Sequence, residues 1–515
     1  MPLFEILVVC AAAIAIAGLT GLTSYGSYAR RALGEKSTAL PVADGDTLLD
    51  REVVALLGDR RGETGLQLLA DNLQAFELRV QLARSAERSL DLQYYYWLWD
   101  LTGDLLTQEI VAAADRGVRV RLLIDDINTR GNDSRYLALD GHANIETRLF
   151  NPSRNRANGI RRGLELAFRA FKTTRRMHNK AWIADGRVAI VGGRNIGDAY
   201  FDAARATNFH DMDVLFVGES LPDVQSIFDD FWNSPVAIPI GALSRPLARN
   251  LPIQRKASRR RPPDAEPYLQ RLSGIAAADG ISRIAGDLHW AEEVEVISDP
   301  PEKALAVGQR SWLVPRIYRA IREAREELRL VSPYFIPGKK GVQALGRLTA
   351  GGTSVRVLTN SLAATDVVAV HGAYSSYRKP LLREGVELFE LRPNITRERP
   401  SLFGSKGASL HTKAFTVDGR TGFVGSFNFD PRSASLNTEM GVLFVQPELV
   451  AEVNGIIDEQ TAAQHAFCVT LTKGRLSWTG GAEAARIAVL AEPSASIGRR
   501  LAAAAIGLLP IESQL

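Results

Sequence analysis

One pattern occurs twice in this chain, 233 residues apart, and it restricts the fold more than any other feature. The first copy runs His178-Asn179-Lys180, four residues, Asp185, six residues, then Gly192-Gly193-Arg194-Asn195. The second runs His411-Thr412-Lys413, four residues, Asp418, six residues, then Gly425-Ser426-Phe427-Asn428. A single His-x-Lys arises by chance in a chain of 515 residues. Two copies that agree at His, Lys, Asp, Gly and Asn with equal spacing describe a duplicated half-site. Such a half-site requires two copies of one local fold, facing each other so that both serve one pocket.

The repeat is wider than the motif. Asp211-Met212-Asp213-Val214-Leu215-Phe216 follows the first copy and Glu439-Met440-Gly441-Val442-Leu443-Phe444 the second, which sets Asp211 against Glu439. Upstream, Ser89–Tyr95 aligns with Leu328–Tyr334, and Gly117–Leu123 with Gly352–Leu358. Strand, helix and strand in that order predict an α/β sheet in each half. The stretch from His to Asp reads as a strand in both copies. Alternation along it turns His178 and Lys180 to one side, and His411 and Lys413 likewise. The expected fold is therefore two similar α/β halves related by a pseudo-twofold axis, with the site at their seam.

The residue types point to phosphodiester chemistry. A phosphodiester repels anionic nucleophiles, so its attacker must be uncharged and its non-bridging oxygens must meet donors or cations. Lys180, Lys413, Asn195, Asn428 and the Ser426 hydroxyl are candidates for that task. One histidine can attack phosphorus while the other protonates the leaving alkoxide and later deprotonates the acceptor hydroxyl. Asp211 and Glu439 are candidates to orient the histidines and stabilise an imidazolium. Seven histidines and two cysteines form no cluster at metal-ligand spacing, so neither a metal nor another cofactor is expected.

With these residues in place, the chain resembles the phospholipase D superfamily, whose signature is the duplicated His-x-Lys…Asp motif. Leu90–Tyr95, Gly192–Asp198, Gly425–Ser433, Asn437–Glu439 and Leu508–Glu512 are similar to the bacterial cardiolipin synthases, particularly their C type. The likeness runs from about Gly65 to the C-terminus. It implies the phospholipase D fold and a phosphatidyl transferase acting on phosphatidylglycerol and a second phospholipid, either phosphatidylglycerol or phosphatidylethanolamine. It also implies that His178, Lys180, Asp185, His411, Lys413 and Asp418 are catalytic, with His178 the nucleophile that carries a phosphohistidine and His411 the acid and base. The alternative on the same residues is a phosphodiesterase that hydrolyses phospholipid or nucleic acid. A formal net charge of +4 is thin for a nucleic-acid track and suits an anionic membrane surface. No residue pattern names a companion protein.

Composition and punctuation set the layout. With 46% hydrophobic and 23% charged residues, the chain is long enough for two sizeable cores. Ile6 to Ala29 is a run of 24 uncharged residues, long enough for one membrane-spanning helix, so residues 1–29 are expected to be an anchor. Glu5 and the lack of an early Lys or Arg disfavour the alternative, an export signal. Arg30, Arg31 and Lys36 hold the following chain on the cytoplasmic side of a bacterial inner membrane. Cys10 and Cys468 provide no disulfide framework, which fits a reducing compartment. Residues 30–64 read as a linker, 65–245 as the first half, 246–290 as a connector, 291–470 as the second half and 471–515 as an extension.

Four segments carry two readings each. The connector's basic run Arg255–Pro263 is either a solvated link or a grip on lipid headgroups. Tyr94–Trp99 is either a core strand or the lining of an acyl groove. Arg499–Leu509 either packs as a terminal helix or lies at a membrane interface. His371 is either an ordinary histidine or one that reaches a headgroup.

Overall fold

The computed structural model describes residues 33–129, 131–153, 174–204, 207–243, 266–275, 281, 288–309, 312–393, 407–480, 491–507 and 512–514. The expected anchor at 1–29 and the basic run 255–263 lie outside them. No helix among the described residues is long and apolar enough to cross a membrane.

Ten strands lie in the N-terminal part: β1 (Thr64–Leu69), β2 (Ser89–Tyr94), β3 (Arg119–Asp125), β4 (Ile145–Phe150), β5 (Ala181–Ala184), β6 (Val188–Gly192), β7 (Thr207–His210), β8 (Asp213–Gly218), β9 (Ala237–Pro239) and β10 (His289–Ala291). Ten more follow: β11 (Val294–Ser298), β12 (Glu327–Val331), β13 (Ser354–Asn360), β14 (Glu387–Leu391), β15 (Gly407–Leu410), β16 (Ala414–Val417), β17 (Thr421–Gly425), β18 (Met440–Val445), β19 (Ala466–Thr472) and β20 (Arg475–Thr479). Among the described residues all but β7 and β15 form two nine-stranded sheets, β10-β1-β8-β6-β5-β2-β3-β4-β9 and β11-β18-β17-β16-β12-β13-β14-β19-β20, while β7 and β15 pair in parallel as a separate two-stranded sheet. The inner order is the same in both, with β1-β8-β6-β5-β2-β3-β4 matched by β11-β18-β17-β16-β12-β13-β14. Two duplicated α/β halves are thus observed.

The helices that bear on the site are α1 (Leu48–Leu57), α2 (Asn72–Ser85), α3 (Leu101–Asp115), α4 (Glu266–Ser273), α5 (Val314–Arg322), α6 (Gly338–Ala350), α7 (Val368–Ser375) and α8 (Ile497–Gly507). In each half the strand, helix, strand unit makes a parallel pair, β2 with β3 and β12 with β13. The sheets meet along β6 and β8 on one side and β17 and β18 on the other. One apolar cluster crosses this seam, with Val191, Val214 and Phe216 from the first half and Val424, Val442 and Phe444 from the second. Burying both inner faces against each other removes the apolar surface that either half alone would expose.

The upstream repeat is offset by one residue from the expected alignment. Asp185 donates its backbone N–H to Ser89 O and Asp418 donates to Glu327 O, while Leu90 lies opposite Ala184 and Leu328 opposite Val417. Ser89 is therefore equivalent to Glu327, not Leu328. A slip of one residue exchanges the two faces of a strand. Both strands alternate polar and apolar residues, Ser-Leu-Asp-Leu-Gln-Tyr in β2 and Glu-Leu-Arg-Leu-Val in β12, and only the alignment of Leu90 with Leu328 keeps the apolar side chains in phase.

Boundaries differ as well. Within the expected linker, α1 is closed by a Thr47–Asp50 capping box and buries Leu49 and Val53 in the first core. From the expected connector, α4 sends Tyr268 and Leu272 into that same core, and β10 joins the first sheet beside β1. The β19–β20 hairpin carries the second sheet on to Thr479. Of the C-terminal segment, α8 packs on α7 of the body. A Cβ on Gly372 of α7 would stand 2.7 Å from Ala503 O of α8, and Arg499 donates to Leu362 O at 3.1 Å. Ile497 and Leu501 on α8 remain exposed.

Candidate active site

Both motif histidines sit just before a central strand, β5 or β16, and each is tied to the opposite half through its backbone. His178 N–H donates to Thr438 O at 2.8 Å, and His411 N–H donates to His210 O at 2.7 Å. Thr438 and His210 immediately precede Glu439 and Asp211, so the same register that fixes each histidine brings up a carboxylate. His178 Nδ1 lies 2.7 Å from Glu439 Oε2, and His411 Nδ1 lies 2.5 Å from Asp211 Oδ2. Each half therefore supplies the carboxylate for the other half's histidine. An Nδ1–H donated to a carboxylate leaves the lone pair on Nε2, the nitrogen free for chemistry. Both histidines are 7% exposed, so each imidazole is sheltered but reachable.

The two carboxylates are held differently, and that explains why the halves differ at Gly193 and Ser426. A Cβ on Gly193 would lie 2.2 Å from Asp211 Oδ1, so this position must lack a side chain for Asp211 to approach. In the second half the longer Glu439 leaves room for a hydroxyl, and Ser426 Oγ donates to Glu439 Oε2 at 2.5 Å. Ser433 Oγ donates to Glu439 Oε1 at 2.8 Å, and the Glu439 N–H donates to Asp299 Oδ2 at 3.0 Å. The Ser426 hydroxyl, expected to face a phosphate, is thus committed to Glu439.

The other expected donors separate in the same way. Lys180 and Lys413 are buried beside the histidines, and among the described residues neither forms an ion pair within salt-bridge distance. Lys180 Nζ donates to His178 O at 2.7 Å and lies 5.4 Å from the centre of the Tyr95 ring. Lys413 Nζ donates to His411 O and stands 2.8 Å from His411 Nδ1. Asn195 uses both ends of its amide, accepting from Tyr96 N–H at 3.1 Å and donating to Tyr200 Oη at 2.8 Å. Asn428 is buried, and among the described residues its acceptor Oδ1 has no hydrogen-bond partner. It keeps the spare capacity that Asn195 has spent.

Asp185 and Asp418 stand apart from this cluster, at the far ends of β5 and β16. Each opens a tight hairpin turn with successive positive φ values, +51° and +67° at Asp185-Gly186 and +51° and +63° at Asp418-Gly419. Asp185 accepts backbone N–H donors from Glu87, Arg88 and Ser89, at 2.8 Å for Arg88. Asp418 does the same for Arg325, Glu326 and Glu327. In this geometry the two carboxylates, expected to be catalytic from the resemblance, hold the starts of β2 and β12. Asp185→Ala is expected to lower stability by about 3 kcal/mol by stranding buried N–H groups, while the activity per folded molecule is retained. Denaturant unfolding alongside active-site-normalised turnover checks this; lost turnover with stability unchanged would reverse the assignment.

Aromatic walls were not singled out as site residues from sequence. Tyr95 packs its ring 4.9 Å from His178, while Tyr200 and Phe209 lie 5.1 and 4.9 Å from His411. The signal was present in the run Tyr94–Trp99. Tyr94 and Trp97 are core, whereas Tyr95 is only partly buried and meets the histidine. His371 is buried against Asn360 O and the Arg378 guanidinium, in the ordinary role. Among the described residues no group of His, Cys, Asp and Glu is arranged to hold a metal ion.

Burial controls the protonation of the cluster. It lowers His178 to about 4, with the attraction of Glu439 offsetting only part of the cost, and it lowers His411 as well. Burial also pulls both lysines down. Burial opposes the charge on Asp211 and Glu439 too, yet the lysines and the imidazole Nδ1–H donors beside them hold both below their ordinary values, Lys413 and His411 for Asp211 and His178 and Lys180 for Glu439. The resting pair of imidazoles is therefore neutral near pH 7, whereas acid–base work needs one imidazolium. An arriving phosphodiester supplies negative charge that opposes the burial penalty, so a proton enters with the substrate. kcat/KM is expected to rise as pH falls through neutrality and to decline only near 4, where His178 itself becomes protonated. A profile flat through neutrality with an acid limb at the ordinary value of 6.5 would contradict this.

Comparison with known proteins bears on the same two halves. Residues 80–232 and 317–460 match a family model described as "Cardiolipin synthase, PLD-like domain". The chain belongs to that family. Cardiolipin synthase C of Escherichia coli (strain K12) is 39% identical over 475 residues, covering 89% of this chain and 98% of that one. A cardiolipin synthase of Oceanobacillus iheyensis is 24% identical over 395 residues, covering 76% and 68%. Among solved structures, the phosphatidylserine synthase of Haemophilus influenzae Rd KW20 superimposes with a TM-score of 0.53 at 14% identity, over 81% of this chain and 92% of that one. That likeness is one of fold.

Proposed function

We propose that this member of the cardiolipin synthase family is a phosphatidyl transferase that makes cardiolipin. The observation that carries the reading is the crossed pair His178–Glu439 and His411–Asp211, flanked by Lys180 and Lys413. In this reading Nε2 of His178 attacks the phosphorus of a phosphatidyl donor, and His411 gives its proton to the departing alkoxide. The P–O bond to the head alcohol breaks as the P–N bond forms. The terminal glycerol hydroxyl of phosphatidylglycerol then loses its proton to His411 and attacks phosphorus, which breaks the P–N bond and frees His178. Lys180, Lys413 and the Nδ2–H donors of Asn428 meet the non-bridging oxygens. Release of glycerol identifies phosphatidylglycerol as donor; release of ethanolamine identifies phosphatidylethanolamine.

The lipid substrates place the protein at a membrane, and we assign residues 1–29 as a single-pass anchor that leaves the two halves on the cytoplasmic face of a bacterial inner membrane. Mass spectrometry of lipids after incubation of the purified protein with phosphatidylglycerol bilayers, with and without phosphatidylethanolamine, tests the reading. Cardiolipin and one released alcohol are expected. Phosphatidic acid as the sole product would make the protein a hydrolase.

A further inference from the structure

Beside the catalytic motif of the second half lies an apolar cleft with a void of about 350 Å³, within the range that holds a small-molecule ligand. Tyr318 and Ile321 of α5, Leu345 and Leu348 of α6, and Phe427 and Phe429 line it. Alternation along the chain puts Phe427 and Phe429 in this cleft while Ser426, one residue earlier, binds Glu439. A single extended segment therefore separates the void from the carboxylate that holds His178. Arg322, Lys340 and Arg347, all exposed, stand at the edge of the cleft.

The first half shows what such a cleft accepts. Arg84 lies five residues before Ser89, as Arg322 lies before the equivalent Glu327. Glu109 lies ten residues before Arg119, as Ala344 lies before the equivalent Ser354. In the first half, Arg84 and Glu109 close the gap between α2 and α3 with an ion pair of 2.6 Å. Tyr268 and Leu272 of α4 fill the first core, and Arg84 donates to Leu272 O and Ile275 O. In the second half Ala344 stands in place of the acid. Among the described residues no helix plays the part of α4, and Arg322 forms no ion pair. The occupant that fits is an apolar rod with acceptor oxygens at its entrance, where three cations wait.

We infer that this cleft holds one acyl chain of an anionic glycerophospholipid, with its ester and phosphate oxygens at Arg322, Lys340 and Arg347. The inference rests on the reading of the chain as a phospholipid transferase and deepens it, because it places a substrate chain one strand away from the reacting histidine. Length discrimination follows from the cleft's finite depth, at about fourfold in affinity per buried methylene.

The test uses His178→Ala protein in phosphatidylglycerol vesicles doped with phosphatidylglycerol that carries a photoactivatable diazirine at the end of one acyl chain. Label mapped by peptide mass spectrometry is expected on α5 and α6, to fall at least tenfold in an Ala344→Trp background, and to fall about fivefold with Arg322→Gln. Ala344→Leu provides a milder filling should the tryptophan variant not fold. Label confined to other segments, or unchanged when the cleft is filled, overturns the inference; a cleft occupied by the protein's own chain gives that result. Cardiolipin formation with label elsewhere would sink the cleft and spare the transferase reading. Label on α5 and α6 without any cardiolipin from the unsubstituted protein would do the reverse.

Discussion

His411→Ala protein mixed with an activated phosphatidyl ester, one whose leaving group is a nitrophenol, will accumulate a covalent phosphatidyl adduct on His178, and His178→Ala protein will form none. A nitrophenolate leaves without a proton, so the first displacement proceeds in the absence of His411. The second needs a base to take the proton of the acceptor hydroxyl and stalls. On natural phospholipids the loss is expected to be about 10²–10⁴-fold for His411→Ala, the range of one general acid–base group, and at least as large for His178→Ala. Intact-protein mass spectrometry and peptide mapping read the adduct directly. An adduct on His411 in the His178→Ala protein would exchange the two roles. The pseudo-twofold geometry makes that a real contest, since both imidazoles are equally exposed and both are held through Nδ1.

Glu439→Gln is expected to lower kcat by about 10³–10⁴-fold with little change in binding, the size seen when an acid that orients a histidine becomes an amide. The amide has nearly the volume of the acid and can keep Ser433 as a partner. Its NH₂ can, however, donate to His178 Nδ1, which moves the imidazole proton to Nε2 and removes the attacking lone pair. It also removes the charge that stabilises an imidazolium. Steady-state kinetics with nitrogen NMR of the imidazole tests both halves of this claim, because the tautomer should change together with kcat. A loss of less than tenfold, or a retained Nδ1–H tautomer, would demote Glu439 to a packing residue.

The motif spacing made the two halves legible because each copy is a local unit: a strand, a turn and a strand within 18 residues. The same regularity does not distinguish Asp185 and Asp418, which open hairpin turns, from the groups at the pocket. A repeated fold repeats its hairpin turns as faithfully as its catalytic groups, and spacing alone does not separate them. From sequence Ser426 is a candidate phosphate donor for a related reason. A hydroxyl shows its chemistry in sequence but not its partner, and the partner is a carboxylate 13 residues on. Tyr95 was hidden inside an aromatic run in which its neighbours Tyr94 and Trp97 are core.

By itself, the sequence determined two α/β halves, the two matched His-x-Lys pairs, and Asp211 and Glu439 as matched carboxylates. Only the tertiary structure decided which carboxylate serves which histidine. The pairs cross between halves, over 261 residues for His178–Glu439 and 200 for His411–Asp211. Within either half the histidine and the carboxylate are far closer in sequence, about 33 residues for His178 and Asp211 and about 28 for His411 and Glu439, so nothing in a linear pattern prefers the crossed pairing. The preference comes from the seam. Burying the two inner sheet faces against each other aligns His178 N–H with Thr438 O and His411 N–H with His210 O, and that register delivers each carboxylate to the imidazole across the axis.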